Sequence, residues 1–416
     1  MPILPMKSLS CITWLLFPQA ITSIATLPLG WGPAWKTEDF INVDNDCRTS
    51  HVTRYEMARK RHPVHFSTDP LDDFEWPRIE PMNSTAGEQW EFDGISEDGT
   101  EAFCFGFYRD PNYSFLGTGN LRAYVEFGFA NGSRYAVVDY AEQSTIVSCP
   151  GRGTRGVWSG DGWSYTFETS ADMSRTRIIM DNPEAKGTVV MTSITKPRYA
   201  NNVQWPSATG ELSTVPHFYW AEPVPVADAY MEGVIKGDLV GWSGIGGHER
   251  LWGAFNWYTC LEGMTAVRLR VGPYALSFVQ FSSGMQRGLQ IPAVVLAKHG
   301  QTILTTKLLE DSSEHDHAII RKIYGDFGVS TSRLQDKATG FDILLGSPSR
   351  DKQWRFIVTH KNVGFEYFLG QGAGGTAYSG TAEGGETGEG SFSGPVFSEI
   401  MKFPDRSLLL TTNYVS

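Results

Sequence analysis

Three carboxyl groups that could move protons lie close together in the sequence, at Glu88, Glu91 and Asp93. Paired carboxyls serve as acid and base in glycoside hydrolysis, and one poised acid is enough to protonate an alkene, as a hydratase requires. Glu91 and Asp93 would share one face of a strand, whereas the acid and base of a glycosidase must flank one bond. The spacing therefore favours a local polar network over a glycosidase pair.

Aromatic residues form a second group that could do chemistry, by building a pocket. Trp and Tyr combine an apolar ring with a hydrogen-bonding group, so a cavity that they line is apolar yet can orient a ligand. Any single ring can equally fill the core of a small β-barrel. The candidates for cavity walls are Trp90, Phe92, Trp242, Trp252, Phe255, Trp257, Tyr258, Tyr274, Trp354 and Tyr367.

Patterns typical of metal, phosphate or nucleophile chemistry are incomplete in this chain. His315 and His317 flank Asp316 in a polar stretch that lacks further ligands at zinc-like spacing, which favours a solvated loop. The Gly-rich segment 384–390 lacks the Gly-Lys-Ser/Thr of a phosphate-binding loop, and no Gly-x-Ser-x-Gly nucleophile segment occurs. These patterns therefore favour neither a metal site nor a phosphate-binding loop nor a covalent nucleophile.

Charge and composition exclude one class of partner. The chain has 416 residues, a formal net charge of -11 and 13% aromatic residues. Nucleic-acid binding needs clustered Lys and Arg side chains that displace counterions from phosphates, and the chain has no such cluster. We expect apolar small molecules as partners rather than nucleic acid.

The elements that must position these groups are β-strands. Apolar residues alternate with others around Phe103, Phe105 and Phe107, and again around Val267, Leu269 and Trp354, which is the period of a strand with one buried face. Many short strands with Gly-containing turns are typical of sandwiches and barrels. The sequence predicts an all-β chain.

Domain boundaries follow from breaks in these patterns. Pro223 and Pro225 cannot continue a central strand, and a chain of this length is expected to hold two domains. We predict an irregular N-terminal extension over 26–75, a first β domain over 76–222 and a second over 223–416.

The first 25 residues resemble a secretion signal. Lys7 precedes a short apolar run that ends at Ser23-Ile24-Ala25, the order of a signal peptide, and the run is too short for stable membrane insertion. Asn83, Asn112 and Asn131 each begin a glycosylation sequon, and Asn131 falls in a predicted hairpin turn. We expect the protein to enter the secretory pathway.

Four cysteines remain after Cys11 of the predicted signal peptide is set aside. Cys47, Cys104, Cys149 and Cys260 could form two disulfides in three connectivities. Some of them could equally be buried free thiols.

Four short motifs occur in a recognisable order. They are Glu88–Gly94, Gly246–Trp252 with Trp257 after it, Val271–Tyr274, and Gln353–Phe356. In this order the chain resembles the fungal lipocalin-like Diels-Alderases, a family related in fold to the carotenoid hydratases. It departs from the usual pattern of the first motif by having Gln89 at an apolar position and Glu91 where Tyr is common.

The resemblance implies a sandwich-like first domain, a lipocalin-like barrel as the second, and catalysis without metal, cofactor or nucleophile. One branch of the family closes decalin rings in polyketide or tetramic acid chains. Another joins a tropolone quinone methide to a sesquiterpene alkene such as humulene in a hetero-Diels-Alder reaction, and the predicted signal peptide favours this branch. A non-catalytic carrier of an apolar metabolite remains the alternative from another class, and a hydratase is a third possibility.

Motif position also suggests site residues. Glu88, Arg250 and Tyr274 are the candidate catalytic groups, although Arg250 could instead be the structural ion-pair partner of Glu88 or Asp93. The candidate substrate-binding walls are Trp90, Phe92, Trp252, Trp257, Trp354 and Tyr367.

Overall fold

The computed structural model describes residues 46–55, 64–82, 86–110, 120–255 and 257–404, and these are built almost entirely from strands. The only helical segments among them are the short helix α1 (Trp257–Cys260) and a 3-10 turn at Pro348–Arg350. The prediction of an all-β fold is confirmed.

In chain order the strands are β1 (Arg48–Thr53), β2 (His65–Phe66), β3 (Ile79–Glu80), β4 (Gly87–Ser96), β5 (Ala102–Arg109), β6 (Leu121–Gly128), β7 (Arg134–Tyr140), β8 (Gln143–Cys149), β9 (Gly153–Gly160), β10 (Trp163–Ser170), β11 (Arg175–Asp181), β12 (Ala185–Ser193), β13 (Arg198–Tyr199), β14 (Phe218–Ile235), β15 (Asp238–Gly253), β16 (Leu261–Val271), β17 (Tyr274–Ser283), β18 (Gln290–Lys298), β19 (Gln301–Thr306), β20 (His317–Ile323), β21 (Gly340–Ser347), β22 (Lys352–Gly370), β23 (Ala373–Glu386) and β24 (Phe392–Lys402).

The first sheet is a curled antiparallel layer of thirteen described strands. Its order is β1-β8-β9-β10-β11-β12-β14-β15-β4-β5-β6-β7, and β13 pairs with β14. Because β15 lies beside β4, two motifs that are far apart in sequence become direct neighbours: Arg250 pairs with Trp90, and Trp252 pairs with Glu88.

The second sheet is a nearly closed barrel of nine described strands. Its order is β19-β18-β17-β16-β24-β23-β22-β21-β20, and the small pair β2-β3 forms a third sheet. Apolar side chains fill the interior of this barrel, among them Leu276, Phe341, Phe356 and Val396. The barrel interior is therefore a packed core.

Strands β4 and β5 are buried on both faces, which differs from the one-sided burial that their alternation predicts. Trp90 and Phe92 point into the core of the first sheet. The opposite face of β5, with Cys104, packs in a separate cluster with Phe365 and Phe397 from the second sheet. The barrel covers the outer face of the first sheet, so the side chains on both faces of these strands are buried.

The predicted boundary at 222/223 lies inside strand β14. Pro223 and Pro225 are accommodated because the β14–β15 pairing shifts register between Ala221 and Val224 and again between Val224 and Ala227, and such irregularities tolerate residues without a backbone N–H. The chain crosses to the second sheet only after β15, through α1. The division into two domains stays a prediction.

The described part of the predicted extension packs on the first sheet. Strand β1 pairs with β8, and a disulfide joins Cys47 to Cys149 beside this pairing. Cys104 and Cys260 are buried and take part in no disulfide, so these four cysteines form one disulfide rather than two. The predicted signal peptide lies outside the described residues, and within them no helix is both long and apolar enough to cross a membrane.

Candidate active site

A cavity of about 340 Å³ lies where the curled sheet faces the barrel. Its volume is within the range of small-molecule sites. Strands β4, β5, β6, β7 and β15 form one wall, and α1, β16, β22 and β24 form the other. It opens to solvent beside Val138 and Phe368, whose side chains are 43% and 47% exposed.

Aromatic and apolar side chains make up most of the wall. Trp257 of α1 packs edge-on against Phe218, with their ring centroids 4.8 Å apart, and Tyr258 packs edge-on against Phe403 at 5.0 Å. Phe365, Tyr367 and Leu251 extend this surface, and Met264 and Met401 complete it. Such a wall binds an apolar ligand by burying its surface.

Three carboxyl groups interrupt the apolar wall. Glu91 and Glu249 sit directly opposite each other on β4 and β15, a register that places side chains within about 5.5 Å at their Cβ atoms. Glu399 comes from β24, on the second sheet, and lines the same cavity. The two sheets thus bring acidic groups to the cavity from both sides.

The environment raises the pKa of all three carboxyls. Burial is the largest cause for each of them, and repulsion by nearby carboxylates adds to it: Glu249 and Asp93 act on Glu91, Glu222 and Asp93 act on Glu249, and Glu91, Glu249 and Asp93 act on Glu399. The pKa of Glu91 rises to about 8 and that of Glu249 to about 7, while the pKa of Glu399 rises well above its ordinary value. Near neutral pH the cluster therefore holds protons and can donate hydrogen bonds.

Arg268 of β16 distinguishes the members of this cluster. Its guanidinium donates to Asp93 and, at 3.2 Å, to Oε1 of Glu249. The indole N–H of Trp220 donates to the other oxygen of Glu249 at 2.8 Å. Glu249 is accordingly the carboxyl that the structure best supports in its ionised form.

Glu399 has the opposite surroundings. Glu399 is 3% exposed, and its carboxyl takes part in none of the hydrogen bonds among the described residues. A buried carboxylate without a donor or a cation is strongly disfavoured, so Glu399 is held as a carboxylic acid. A polar group that is buried, unpartnered and directed into a cavity is available to a ligand.

Of the six candidate substrate-binding residues, Trp257 and Tyr367 line this cavity, and so does Tyr258 from the wider set of aromatic candidates. Three others lie in the core of the first sheet: Trp90, Phe92 and Trp252. The indole N–H groups of Trp90 and Trp252 donate to the carbonyls of Glu75 at 3.1 Å and Ser67 at 3.2 Å, which anchors the segment before β4 to the sheet.

Glu88 and Arg250 form a buried ion pair on the inner side of the first sheet. Nη2 of Arg250 lies 3.0 Å from Oε2 of Glu88, its Nε donates to the Phe74 carbonyl at 2.8 Å, and the guanidinium lies 3.7 Å above the Trp90 ring. Both residues are fully buried and neither lines the cavity. This is the ion-pair arrangement that the sequence left open for Arg250.

Tyr274 and Trp354 lie in the packed interior of the barrel. Tyr274 packs edge-on against Phe356 with ring centroids 5.9 Å apart. The structure thus separates the predicted site residues into three places: the sheet core, the barrel core and the cavity.

Of the predicted glycosylation sites, Asn131 lies in the described part of the chain. It is exposed in the turn between β6 and β7, where Gly132 has φ +78 and Oδ1 of Asn131 accepts from the Ser133 N–H at 2.8 Å. The predicted hairpin turn is confirmed. Asn83 and Asn112 lie outside the described residues.

Sequence reasoning missed Glu249 and Glu399. Glu249 lies within the Gly246–Trp252 motif, and the alternation of side chains along a strand could have revealed its position. Because Arg250 and Trp252 face the sheet core, Glu249 and Leu251 must face the opposite side. Glu399 is separated from Glu91 by most of the chain and has no local signal.

Comparison with known proteins places the chain in a family. The Diels-Alderase-like family model matches residues 44–404. Diels-Alderase cheD from Chaetomium globosum is 47% identical over 411 residues, covering 96% of each chain. Diels-Alderase ffsF from Aspergillus flavipes is 44% identical over 407 residues, covering 97% of this chain and 98% of the relative. The crystal structure of CghA with Sch210972 shares the fold, with a TM-score of 0.74 at 21% identity over 86% of this chain and 99% of that chain. The chain therefore belongs to the Diels-Alderase-like family and is an enzyme of that class.

Proposed function

We propose that this enzyme catalyses a stereoselective [4+2] cycloaddition inside the cavity between the two sheets. The carboxylic acid of Glu399 donates a hydrogen bond to a carbonyl of the reacting alkene. The observation that carries this proposal is the position of Glu399, which is buried in an apolar cavity without a hydrogen-bond partner among the described residues.

The physical demands of the reaction match the cavity. A cycloaddition forms two bonds in one step, so most of its barrier can be lowered by holding diene and alkene in reacting geometry. Rigid aromatic walls such as Trp257 and Tyr258 limit the ways in which the reactants can fold. A fixed donor at the carbonyl stabilises the charge that grows there in the transition state.

The first version of the reaction closes a ring within a single polyketide or tetramic acid chain. Relatives that are 47% and 44% identical over nearly the whole chain are named Diels-Alderases, which supports a Diels-Alder reaction for this chain. The cavity supplies one donor site for the carbonyl and one continuous apolar wall for the rest of the chain.

The second version is a hetero-Diels-Alder reaction between a tropolone quinone methide and a sesquiterpene alkene such as humulene. A protonated carboxyl in the cavity favours it, because an acid can assist the loss of water that generates the quinone methide. The predicted signal peptide supports the same version.

One experiment with two substrate arms tests both versions. The purified protein is incubated with a linear polyene bearing a tetramic acid, and separately with a hydroxymethyl tropolone plus humulene, and the products are resolved by chiral chromatography. A single enriched stereoisomer in either arm identifies the reaction. Products identical to the enzyme-free mixture in both arms would contradict the proposal.

Variants connect the activity to the cavity. Glu399→Leu should lower turnover by about tenfold, the factor that corresponds to roughly 1.4 kcal/mol of lost transition-state stabilisation. Glu383→Gln, on the exposed side of β23, is the matched control and should behave as the wild type. Recovery of bound but unconverted substrate would instead indicate a carrier.

A further inference from the structure

The cavity contains a carboxyl that is built to accept a proton and another that is built to donate one. Glu249 receives hydrogen bonds from Arg268 at 3.2 Å and from Trp220 at 2.8 Å, and both stabilise its carboxylate. Glu399 receives none from the described residues and remains an acid. The first belongs to the curled sheet and the second to the barrel, so a ligand between the sheets has a base on one side and an acid on the other.

We propose that this pair gives the enzyme a further activity: Glu249 and Glu399 shift a β,γ double bond of an unsaturated carbonyl compound into conjugation with its carbonyl. The activity uses the cavity of the proposed function and deepens it, since it names the substrate class as an enolisable unsaturated ketone or related carbonyl.

The step balances without an oxidant, a reductant or a co-reactant. The C–H bond at the α-carbon breaks, and its proton goes to the Glu249 carboxylate. The electron pair of that bond forms a new C=C bond to the carbonyl carbon, and the carbonyl oxygen, which gains charge, is held by the O–H of Glu399. Glu249 then returns the proton to the γ-carbon, and the electrons of the β,γ π bond form the new C–H bond. The π electrons between the carbonyl carbon and the α-carbon move to the α,β position, and the charge on oxygen re-forms the carbonyl, which leaves the double bond conjugated.

The roles of Glu249 as base and Glu399 as acid agree with general physical chemistry. A carboxylate base combined with a carboxylic acid kept neutral by an apolar site is an effective arrangement for isomerising unsaturated ketones. The pKa of Glu249, raised to about 7 mainly by burial, makes it a stronger base than an exposed carboxylate while a large fraction stays ionised near neutral pH. Burial raises the pKa of Glu399 well above its ordinary value, which preserves the donor.

The product of this shift is suited to the proposed cycloaddition. Conjugation of an alkene with a carbonyl produces the electron-poor alkene that a diene attacks, and in a longer polyene it can produce the diene itself. An isomerisation in the same cavity would form the reactive partner where its cyclisation is guided.

The test uses a bicyclic octalone whose double bond lies β,γ to the carbonyl and which has no diene, so that it cannot cyclise. Formation of the conjugated ketone is followed by its ultraviolet absorbance, and a second run in D₂O follows deuterium entry at the α- and γ-carbons by NMR. The wild-type protein should accelerate formation of the conjugated ketone over buffer. Because Glu249 returns the substrate's own α-proton, the γ-carbon should gain less deuterium than it does in the reaction without enzyme.

Variants assign the roles. Glu249→Gln should lower the isomerisation rate by about 100-fold, the usual contribution of a general base, and Glu399→Leu should lower it as well. Glu383→Gln, exposed and outside the cavity, should retain the wild-type rate. Circular dichroism and thermal melting of each variant separate a lost base from a lost fold.

A parallel assay separates this inference from the proposed function. The same preparations are given a tetramic acid polyene that is already conjugated. Cyclisation of that substrate without isomerisation of the octalone would overturn the further inference alone, and so would an octalone rate in Glu249→Gln equal to that of the wild type. Isomerisation without cyclisation in either substrate arm would overturn the proposed function alone.

Discussion

Glu88 and Glu91 lie three positions apart on strand β4 and have different electrostatic surroundings. Glu88 faces the guanidinium of Arg250 at 3.0 Å and accepts the Arg78 backbone N–H at 2.8 Å. Glu91 faces the cavity, where Glu249 and Asp93 repel its charge and burial is the largest cause of its raised pKa. One strand therefore carries a carboxyl paired with a cation on its inner face and a carboxyl that retains its proton on its outer face.

The raised pKa values predict how stability depends on pH. In the unfolded chain a Glu carboxyl loses its proton near its ordinary pKa of 4.5, whereas in the folded protein Glu91 keeps it up to about 8. Between these values the folded state binds more protons, so the contribution of Glu91 to the free energy of unfolding is fully present below about pH 4.5 and is lost as the pH rises through about 8. Melting temperatures across this window should decline for the wild type and decline less for Glu91→Gln.

The matched control for this pH series is Glu383→Gln, because Glu383 is exposed. Its melting curve should follow that of the wild type at every pH. A wild-type melting temperature that rises steadily between pH 5 and pH 8 would contradict the protonated cluster.

The buried Arg250–Glu88 pair yields a second prediction at the scale of single residues. Arg250→Met should destabilise the protein by roughly 3–5 kcal/mol, because it leaves Glu88 buried without a cation. Adding Glu88→Gln should restore part of this loss. Urea unfolding followed by tryptophan fluorescence measures both effects.

Turnover tests the catalytic role that motif position suggests for Arg250 and Tyr274. Because neither residue lines the cavity, activity per folded molecule should stay close to the wild type in Arg250→Met and in Tyr274→Phe. A large loss of turnover or of stereoselectivity without a loss of stability would support the catalytic role instead.

At the scale of elements, Gly247 of β15 leaves space for Arg268 of β16. A Cβ atom at Gly247 would lie 2.2 Å from the Arg268 guanidinium carbon, and that guanidinium is fixed by Asp93, Glu222 and Glu249. The glycine therefore permits the close approach of the strand to the charge that organises the carboxyl cluster.

Gly247→Ala should displace Arg268 and cost about 1–3 kcal/mol, as overpacking of a buried site typically does. It should also reduce activity more than its loss of stability explains, since Glu249 loses its cation. Gly241→Ala on the same strand is the control, because its Cβ would meet only the Met231 carbonyl oxygen, at 3.6 Å. Equal behaviour of the two variants in melting and turnover assays would exclude this role for Gly247.

The alternation of apolar residues predicts where the β-strands are, but it does not predict which face of each strand lines the cavity. In β4 and β15 both parities are buried, so periodicity alone cannot distinguish the sheet core from the cavity. The motif residues Trp90, Arg250 and Trp252 all point inward, whereas Glu91 and Glu249 between them point to the cavity. The motifs therefore identify the strands that form the site, but most of their marked residues lie on the face that packs in the sheet core rather than on the face that lines the cavity.

At the scale of the whole molecule, the Cys47–Cys149 disulfide ties the start of β1 to the end of β8 across a sequence separation of 102 residues. Closing a loop of this size stabilises a protein by up to about 4.7 kcal/mol in the chain-entropy account. Cys47→Ser with Cys149→Ser should lower the melting temperature, and a reductant should do the same to the wild type. Turnover below the melting temperature should persist, because neither cysteine lines the cavity.

We propose that the protein matures in the secretory pathway, as the predicted signal peptide indicates. The disulfide supports this proposal, since such bonds persist in oxidising compartments. Protein made in a fungal host should shift in mobility after endoglycosidase treatment, and Asn131→Gln should remove part of that shift. An intracellular, unglycosylated product would contradict the proposal.

The order of strands in the two sheets depends on pairings between distant segments, which no local pattern contains. The position of β15 beside β4 and the approach of β24 to both are examples, and they create the carboxyl cluster. The family resemblance predicted the barrel, with the substrate between or inside the two domains. Among the described residues, apolar side chains fill the barrel interior, and the cavity of the candidate site lies between the two sheets.

That arrangement affects how new specificities can arise. Each sheet has its own packed core, and the cavity is lined by the faces that the two sheets turn towards each other. Leu251 and Phe365 belong to neither of these two cores, so a change in the size of either side chain alters the cavity and the packing around it while both cores stay filled. Replacements at such cavity positions should therefore change which products form while the fold is retained.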